Sequence, residues 1–389
     1  MSRSALLIEA GSLPASRKTL HNEAGRDLTN LDLLRSVAVG LVLIGHCLAV
    51  MGIRGFGNLG HFGVLLFFVH TAFVLMLSME RMGTAGQQLA VAFFVRRLFR
   101  IFPLSILSVL VVLAFRIPSS PWLQGYVWAG WPTVISNVFL VQNITGTGSI
   151  LCVLWSLPYE LQMYAVLPLL FLLFCRLRSP GAAFVAWFAG VMIALAEYAL
   201  RGRSFDQELL LTRYVPCFLA GVLAWRLAKE MKQRIPGWVW ALSLVALCVC
   251  YRIIDALRVY GPSVSEAFHG ALRSDHGVWL PRSFDLASDW MFCLIVGILL
   301  PLFADIRIQW LNELSRQVAK YSYGTYVSHI PILWLFFYRF RISSALTSAI
   351  FSCALIAVAA VVLYHWVEDP AIRFGKKLSL RLSSITQSA

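Results

Sequence analysis

The chain has 389 residues, of which 59% are hydrophobic and only 13% charged, whereas soluble domains carry about 25% charged residues. That deficit, together with long apolar runs, excludes a soluble globular domain and reads as an all-α, polytopic integral membrane protein. The formal net charge of +14 does not indicate a nucleic-acid binder, because the basic residues fall between apolar segments rather than on one amphipathic face.

In chain order, residues 1–30 are polar and contain no hydrophobic region, so they read as a disordered cytoplasmic segment with no cleavable signal. The first apolar run is then expected to stay in the membrane as an uncleaved anchor. About ten transmembrane helices are expected, at 33–53, 60–79, 98–117, 151–174, 181–200, 209–228, 237–254, 286–304, 321–340 and 344–367. Placing the N-terminus inside puts most of the 33 lysines and arginines on the cytoplasmic side, which favours an N-in, C-in arrangement. Residues 31–370 form one transmembrane domain on this reading. The segment Ile117 to Ile150, with Trp122, Trp128 and Trp131, is too weakly apolar to cross and reads as interfacial or re-entrant. The polar stretch from Asp255 to Asp285 is expected over the outer mouth. Residues 371–389 form a basic cytoplasmic tail with Arg373, Lys376, Lys377 and Arg381, suited to an anionic inner leaflet. The eight cysteines lie in or beside apolar segments without metal-type spacing, so they read as packing residues.

Ionisable residues inside such spans are costly and usually line a pathway or a site. Arg35 and His46 are eleven positions apart; at about 100° per residue they share one helix face, ~16 Å apart along the axis. Glu160, in Trp155-Ser-Leu-Pro-Tyr-Glu160, sits ~13 Å into the fourth span, close to the ~10 Å depth of His46. A carboxylate at that level raises the basicity of an imidazole and fixes its tautomer; the competing reading is a polar contact that glues two helices. Arg96, Arg97 and Arg100 stand before the third span. Arg97 and Arg100 are adjacent on a helix face, and guanidinium pairs suit phosphate, although positive-inside residues need no further duty. Ser156, Tyr159 and His329 are candidate cavity-lining residues, with helix packing the alternative for His329. His61 and His70 read as packing or cavity residues, and His365 as interfacial. No metal site, phosphate-binding glycine loop or Gly-x-Ser-x-Gly is present.

The same residues carry a resemblance to the acyltransferase-3 family of integral-membrane acyltransferases, which includes O-antigen, Nod-factor, glucan and macrolide acyltransferases. Leu31-Asp32-Leu33-Leu34-Arg35 with His46 resembles the family's first-helix signature, a basic residue, ten intervening residues, then histidine. Phe62-Gly63-Val64-Leu65-Leu66-Phe67-Phe68-Val69 is similar to its second-helix motif, and Arg96-Arg97-Leu98-Phe99-Arg100-Ile101-Phe102-Pro103 to its arginine-rich third block. Leu154 to Tyr164 resembles its W-S-L-x-x-E-x-x-x-Y segment. Ser322 to His329, and Trp366-Val367-Glu368-Asp369-Pro370, resemble its last two blocks. Two positions depart from the pattern: the usual Leu-Ser-Gly-Phe is His70-Thr71-Ala72-Phe73, and the usual glycine after Asp32 is Leu33.

The resemblance implies transfer of an acyl group, commonly acetyl, from cytoplasmic acyl-CoA to a hydroxyl of a glycan or lipid-linked glycan, with no metal. It also implies a multi-pass protein of the bacterial inner membrane that modifies cell-envelope polysaccharide. On it, His46 is the general base and Glu160 its orienting acid. Arg96, Arg97 and Arg100 hold the donor's phosphates, and Arg35 lies along the donor's path. The alternative from another class is a proton-coupled or sugar transporter in which His46 and Glu160 form a relay.

Overall fold

The computed structural model describes residues 29–53, 56, 58–82, 86–120, 125–201, 210–233, 235–260, 279–340 and 342–388. The described residues are almost all helical, and their only β feature is an isolated bridge between Ile235 and Phe303. The helices are α1 Thr29–Val50, α2 Asn58–Met82, α3 Gly86–Phe115, α4 Trp131–Val138, α5 Gln142–Thr145, α6 Leu157–Leu177 and α7 Pro180–Arg201. They continue with α8 Val215–Glu230, α9 Gly237–Tyr260, α10 Trp279–Leu299, α11 Gln309–Trp334, α12 Ala345–Leu363 and α13 Asp369–Ser388.

Among the described residues, seven helical stretches are long and apolar enough to cross a membrane: α1, α2, α3, Cys152–Leu177, α7, Gly237–Asp255 and Ala345–Leu382. The remaining three expected spans are helices of another kind. α8 has 16 residues, Leu286–Leu302 is apolar but short, and α11 is interrupted by polar side chains from Ser315 to His329. The segment from Ile117 to Ile150 forms the short helices α4 and α5 rather than a crossing. The expected basic tail is α13, whose Arg96–Ser379 and Phe99–Phe374 contacts lay it along α3. Residues 1–30, expected to be disordered, lie outside the described residues except for Thr29 and Asn30, and so does most of the Asp255 to Asp285 stretch. All eight cysteines are free thiols.

A helix that is apolar on every side belongs either to a core or to lipid, and burial decides which. In α2, 72% of the most apolar window is buried, against 28–33% in the other candidate spans, so α2 is the hub. It approaches its neighbours at glycines. A Cβ on Gly63 would lie 2.5 Å from the Ala38 carbonyl of α1, and one on Gly221 of α8 2.2 Å from the Val69 carbonyl of α2. Without a hydrophobic force between helices in lipid, such close backbone contact carries the association.

α1 and α11 lie side by side in the same direction. The lower pairs are Arg35 Nε to Ser322 Oγ at 2.7 Å and Ser36 Oγ to the Ser315 carbonyl at 2.7 Å. The upper pair is His46 with His329. Thr29 and Asn30 fix the start of α1 to the strand-like turn at 303–306, through Ile306 N to Thr29 Oγ1 and Asn30 Nδ2 to the Ala304 carbonyl.

The glycine contact gives a direct test. Gly221→Ala is expected to destabilise the protein by ~1–3 kcal/mol through overpacking, read as a lowered thermal-unfolding midpoint in detergent. Gly148→Ala, at a position with nothing within 4 Å of the added carbon, is expected to leave the midpoint where it was.

Candidate functional site

One cavity, with about 660 Å³ of empty space, opens between α1, α2, α3, α6 and α11. Its polar wall carries Arg35, Arg97, Arg100, Glu160, Tyr164 and Ser322, and its apolar wall Val64, Phe67, Phe68, Val74 and Leu75. The three guanidiniums are held differently. Arg35 donates to the neutral Ser322 hydroxyl. Arg97 reaches Ser78 Oγ at 3.4 Å and lies 5.8 Å from the Phe93 ring centre, while its buried Nε has no hydrogen-bond partner. Arg100 pairs with Glu368 at 3.2 Å, a carboxylate presented by the π-helical turn Tyr364–Glu368. Among the described residues, neither Arg35 nor Arg97 forms an ion pair, so the cavity holds guanidinium charge that the protein itself leaves incompletely matched. Such charge away from bulk water favours an anion.

Tyr326 stands at the other end of this cavity. Its hydroxyl donates to the Val153 carbonyl at 2.6 Å and accepts from Ser156 Oγ at 2.7 Å. Its ring centre is 6.1 Å from that of His329. His329 is fully buried, and its Nδ1 lies 2.8 Å from the Tyr326 carbonyl. The Nδ1 of His46 lies 2.9 Å from the Val42 carbonyl and 3.4 Å from His329 Nε2. A carbonyl oxygen only accepts, so each neutral ring carries its proton on Nδ1 and its lone pair on Nε2. The His46 Nδ1–H is thus shared, with the Val42 carbonyl at 2.9 Å as its nearer acceptor and the His329 lone pair at 3.4 Å as its farther one, and Nε2 of His46 keeps its lone pair. Gly60 makes room for this ring: a Cβ there would lie 3.4 Å from His46 Cε1.

The sequence-derived candidates separate into four places, of which the pair His46 and His329 is one. Arg35, Arg97, Arg100, Ser156 and Glu160 share the cavity. Arg96, offset by about 100° from Arg97, turns away and donates to Ser379 Oγ of α13 at 2.9 Å. Tyr159 is buried in an aromatic cluster with Tyr214, 4.8 Å between ring centres, and Trp155.

No hydrogen bond or ion pair joins His46 to Glu160; the Glu160 carboxylate accepts from Tyr164 Oη at 2.6 Å. The expected match in depth fails because the chain is already inside the protein before the helix of the fourth span begins. The 3-10 turn Cys152–Ser156 is already inside the protein, tied to Tyr326, which lies one turn on the Arg35 side of His329. Glu160, a further turn along, falls at the level of the arginines.

Sequence reasoning gave no role to Glu368 or Tyr326, although both stand in the quoted blocks, and left His329 open. Helical spacing alone does not show which faces meet across helices. His61 pairs with Asp289 at 2.8 Å, and His365 with the Tyr321 hydroxyl at 3.3 Å. His70 lines the cavity. No group of three or more metal-type ligands occurs among the described residues.

A family model described as an acyltransferase domain, Acyl_transf_3, matches residues 28–366. Neither the curated proteins nor the solved structures contain a match to the chain.

The Tyr326 hydroxyl ties α6 to α11 at the head of the cavity, and removing it strands two polar groups. Tyr326→Phe is expected to cost ~1–3 kcal/mol, since Ser156 Oγ and the Val153 carbonyl both lose a partner. Thermal unfolding in detergent reads this loss, and an unchanged midpoint would show the tie to be dispensable.

Proposed function

The chain belongs to the acyltransferase-3 family of membrane acyltransferases, and from that premise we propose the donor, the acceptor class and the parts the residues play. The family makes it an enzyme that transfers acyl groups other than aminoacyl groups. The donor is cytoplasmic acyl-CoA, with acetyl the expected group, and the acceptor is a hydroxyl of a glycan or related molecule. The observation that carries the reading is the cavity of incompletely matched guanidiniums that leads, through Tyr326, toward a paired histidine.

In this scheme the protein crosses the bacterial inner membrane ten times, with both termini inside. Arg35, Arg97 and Arg100 hold the phosphates of the donor. The ~16 Å along α1 from Arg35 to His46 is bridged by the extended pantetheine arm. His46 Nε2 takes the proton of the acceptor hydroxyl as its oxygen attacks the thioester carbonyl. The C–S bond breaks, the new ester C–O bond remains, and the thiolate recovers the proton from His46. His329 Nε2 accepts from His46 Nδ1–H and so supports the imidazolium that forms in between, the part a carboxylate plays in other catalytic pairs. Glu160 works among the guanidiniums rather than beside the imidazole: it holds Tyr164 and limits the positive charge of the empty cavity. No observation on the described residues favours the transporter alternative.

Two measurements on the purified full chain in detergent test this. His46→Ala is expected to lower acyl-CoA turnover by ~10²–10⁴-fold, the usual worth of a general base; turnover at the wild-type rate would sink the role given to His46. The double variant Arg97→Ala with Arg100→Ala is expected to weaken coenzyme A binding by at least ~100-fold, about tenfold for each charge-assisted contact. Equal affinity in the double variant and the wild type would remove the phosphate clamp.

A further inference from the structure

Five histidines lie among the described residues, and four of them have hydrogen-bonded rings. His46 is held by Val42 and His329, His329 by Tyr326, His61 by Asp289, and His365 by Tyr321. His70 differs. It is 4% exposed, it lines the arginine cavity, and its Nδ1 is buried without a hydrogen-bond partner.

A buried ring nitrogen without a partner costs free energy, and native proteins keep few of them. A second such nitrogen, Nε of Arg97, belongs to a residue lining the same cavity. The two come from different helices, α2 and α3, whose side chains line one cavity together with Arg35 and Arg100. A ligand presenting several acceptor oxygens to that space would meet them together. Phosphate has that character, and it also answers the guanidinium charge. A histidine kept only for packing would need no polar partner, and leucine would serve α2 as well.

We propose that His70 is a donor-binding residue: an imidazole N–H that donates to a phosphate oxygen of coenzyme A beside the guanidiniums. The inference rests on the acyl-CoA reading and goes beyond it, since it assigns part of the phosphate recognition to a position outside the arginine block. His70 takes no part in proton transfer, because the arginine cavity lies at the opposite end of the α1 stripe from His46.

The test is equilibrium binding to the purified full chain in detergent, with coenzyme A as one probe and pantetheine, which has the arm but no phosphate, as the other. His70→Leu is expected to weaken coenzyme A about tenfold, equivalent to ~1.4 kcal/mol, and to leave pantetheine unchanged. His70→Ala is expected to show the same loss. His70→Asn, which keeps an N–H near the position of Nδ1, is expected to recover most of the affinity. Coenzyme A binding that is unchanged in the leucine and alanine variants would overturn the inference while leaving the donor reading intact. An equal loss for both probes would also overturn it, because the contact would then be to the arm. If the wild type bound no coenzyme A, the donor reading would fall and this inference with it.

Discussion

Two helices that run in the same direction, α1 and α11, set the geometry on which the site depends. In an apolar surround, an arginine and a histidine on one helix are tolerated only where another helix supplies polar partners. α11 supplies them in the same order along its length: Ser315 and Ser322 at the Arg35 end, His329 at the His46 end. The cost is visible in α11 itself. Its polar face takes it out of the set of helices apolar enough to cross by composition, so the helix that completes the site is one whose own composition suits lipid poorly. α2 closes the arrangement from the other side. Its glycines bring its backbone against α1, with Gly63 under Ala38 and Gly60 beside the His46 ring.

Much of this was legible in the sequence, and the physical reason is simple. Within one helix, spacing fixes direction, so the shared face of Arg35 and His46, and the different aim of Arg96, follow from 100° per residue. Ordered blocks along the chain fixed the family. Between helices, spacing fixes nothing. The expectation that Glu160 would meet His46 rested on counting depth from the start of an apolar run, and the chain before Glu160 enters the protein through a 3-10 turn that the count ignored. The partner of His46 came instead from a helix 283 residues away in sequence. Glu368 escaped for a related reason. It reaches Arg100 from a π-helical turn, and an extra residue per turn shifts a side chain off the face that regular spacing assigns.

The cavity and the histidine pair also differ in how their charge is managed. Near the arginines, carboxylates are present but few: Glu368 pairs with Arg100 while Glu160 accepts from Tyr164. Two neutral groups hydrogen-bond at His46, a backbone carbonyl and a second imidazole. A carboxylate at that position would hold a proton strongly and would carry permanent charge deep among helices, at a desolvation cost of several kcal/mol. A neutral imidazole whose tautomer is fixed by the Tyr326 carbonyl gives directional support at lower cost, and that support strengthens when His46 is charged. The charged end and the neutral end therefore suit different work: the first favours a permanent anion, the second a proton that is present briefly.

Tyr326 couples those two ends. Its hydroxyl fixes the turn that leads into Glu160 and the cavity wall, while its own backbone carbonyl fixes the tautomer of His329. A shift of α6 that moved the cavity wall would pull on the side chain of Tyr326, and through its backbone would disturb the hydrogen bond that orients the histidine pair. Binding at the arginine end and readiness at the histidine end are thus joined through one residue whose two polar groups serve different partners. That economy is available because α11 places a tyrosine and a histidine three residues apart, on adjacent positions of the same helical face.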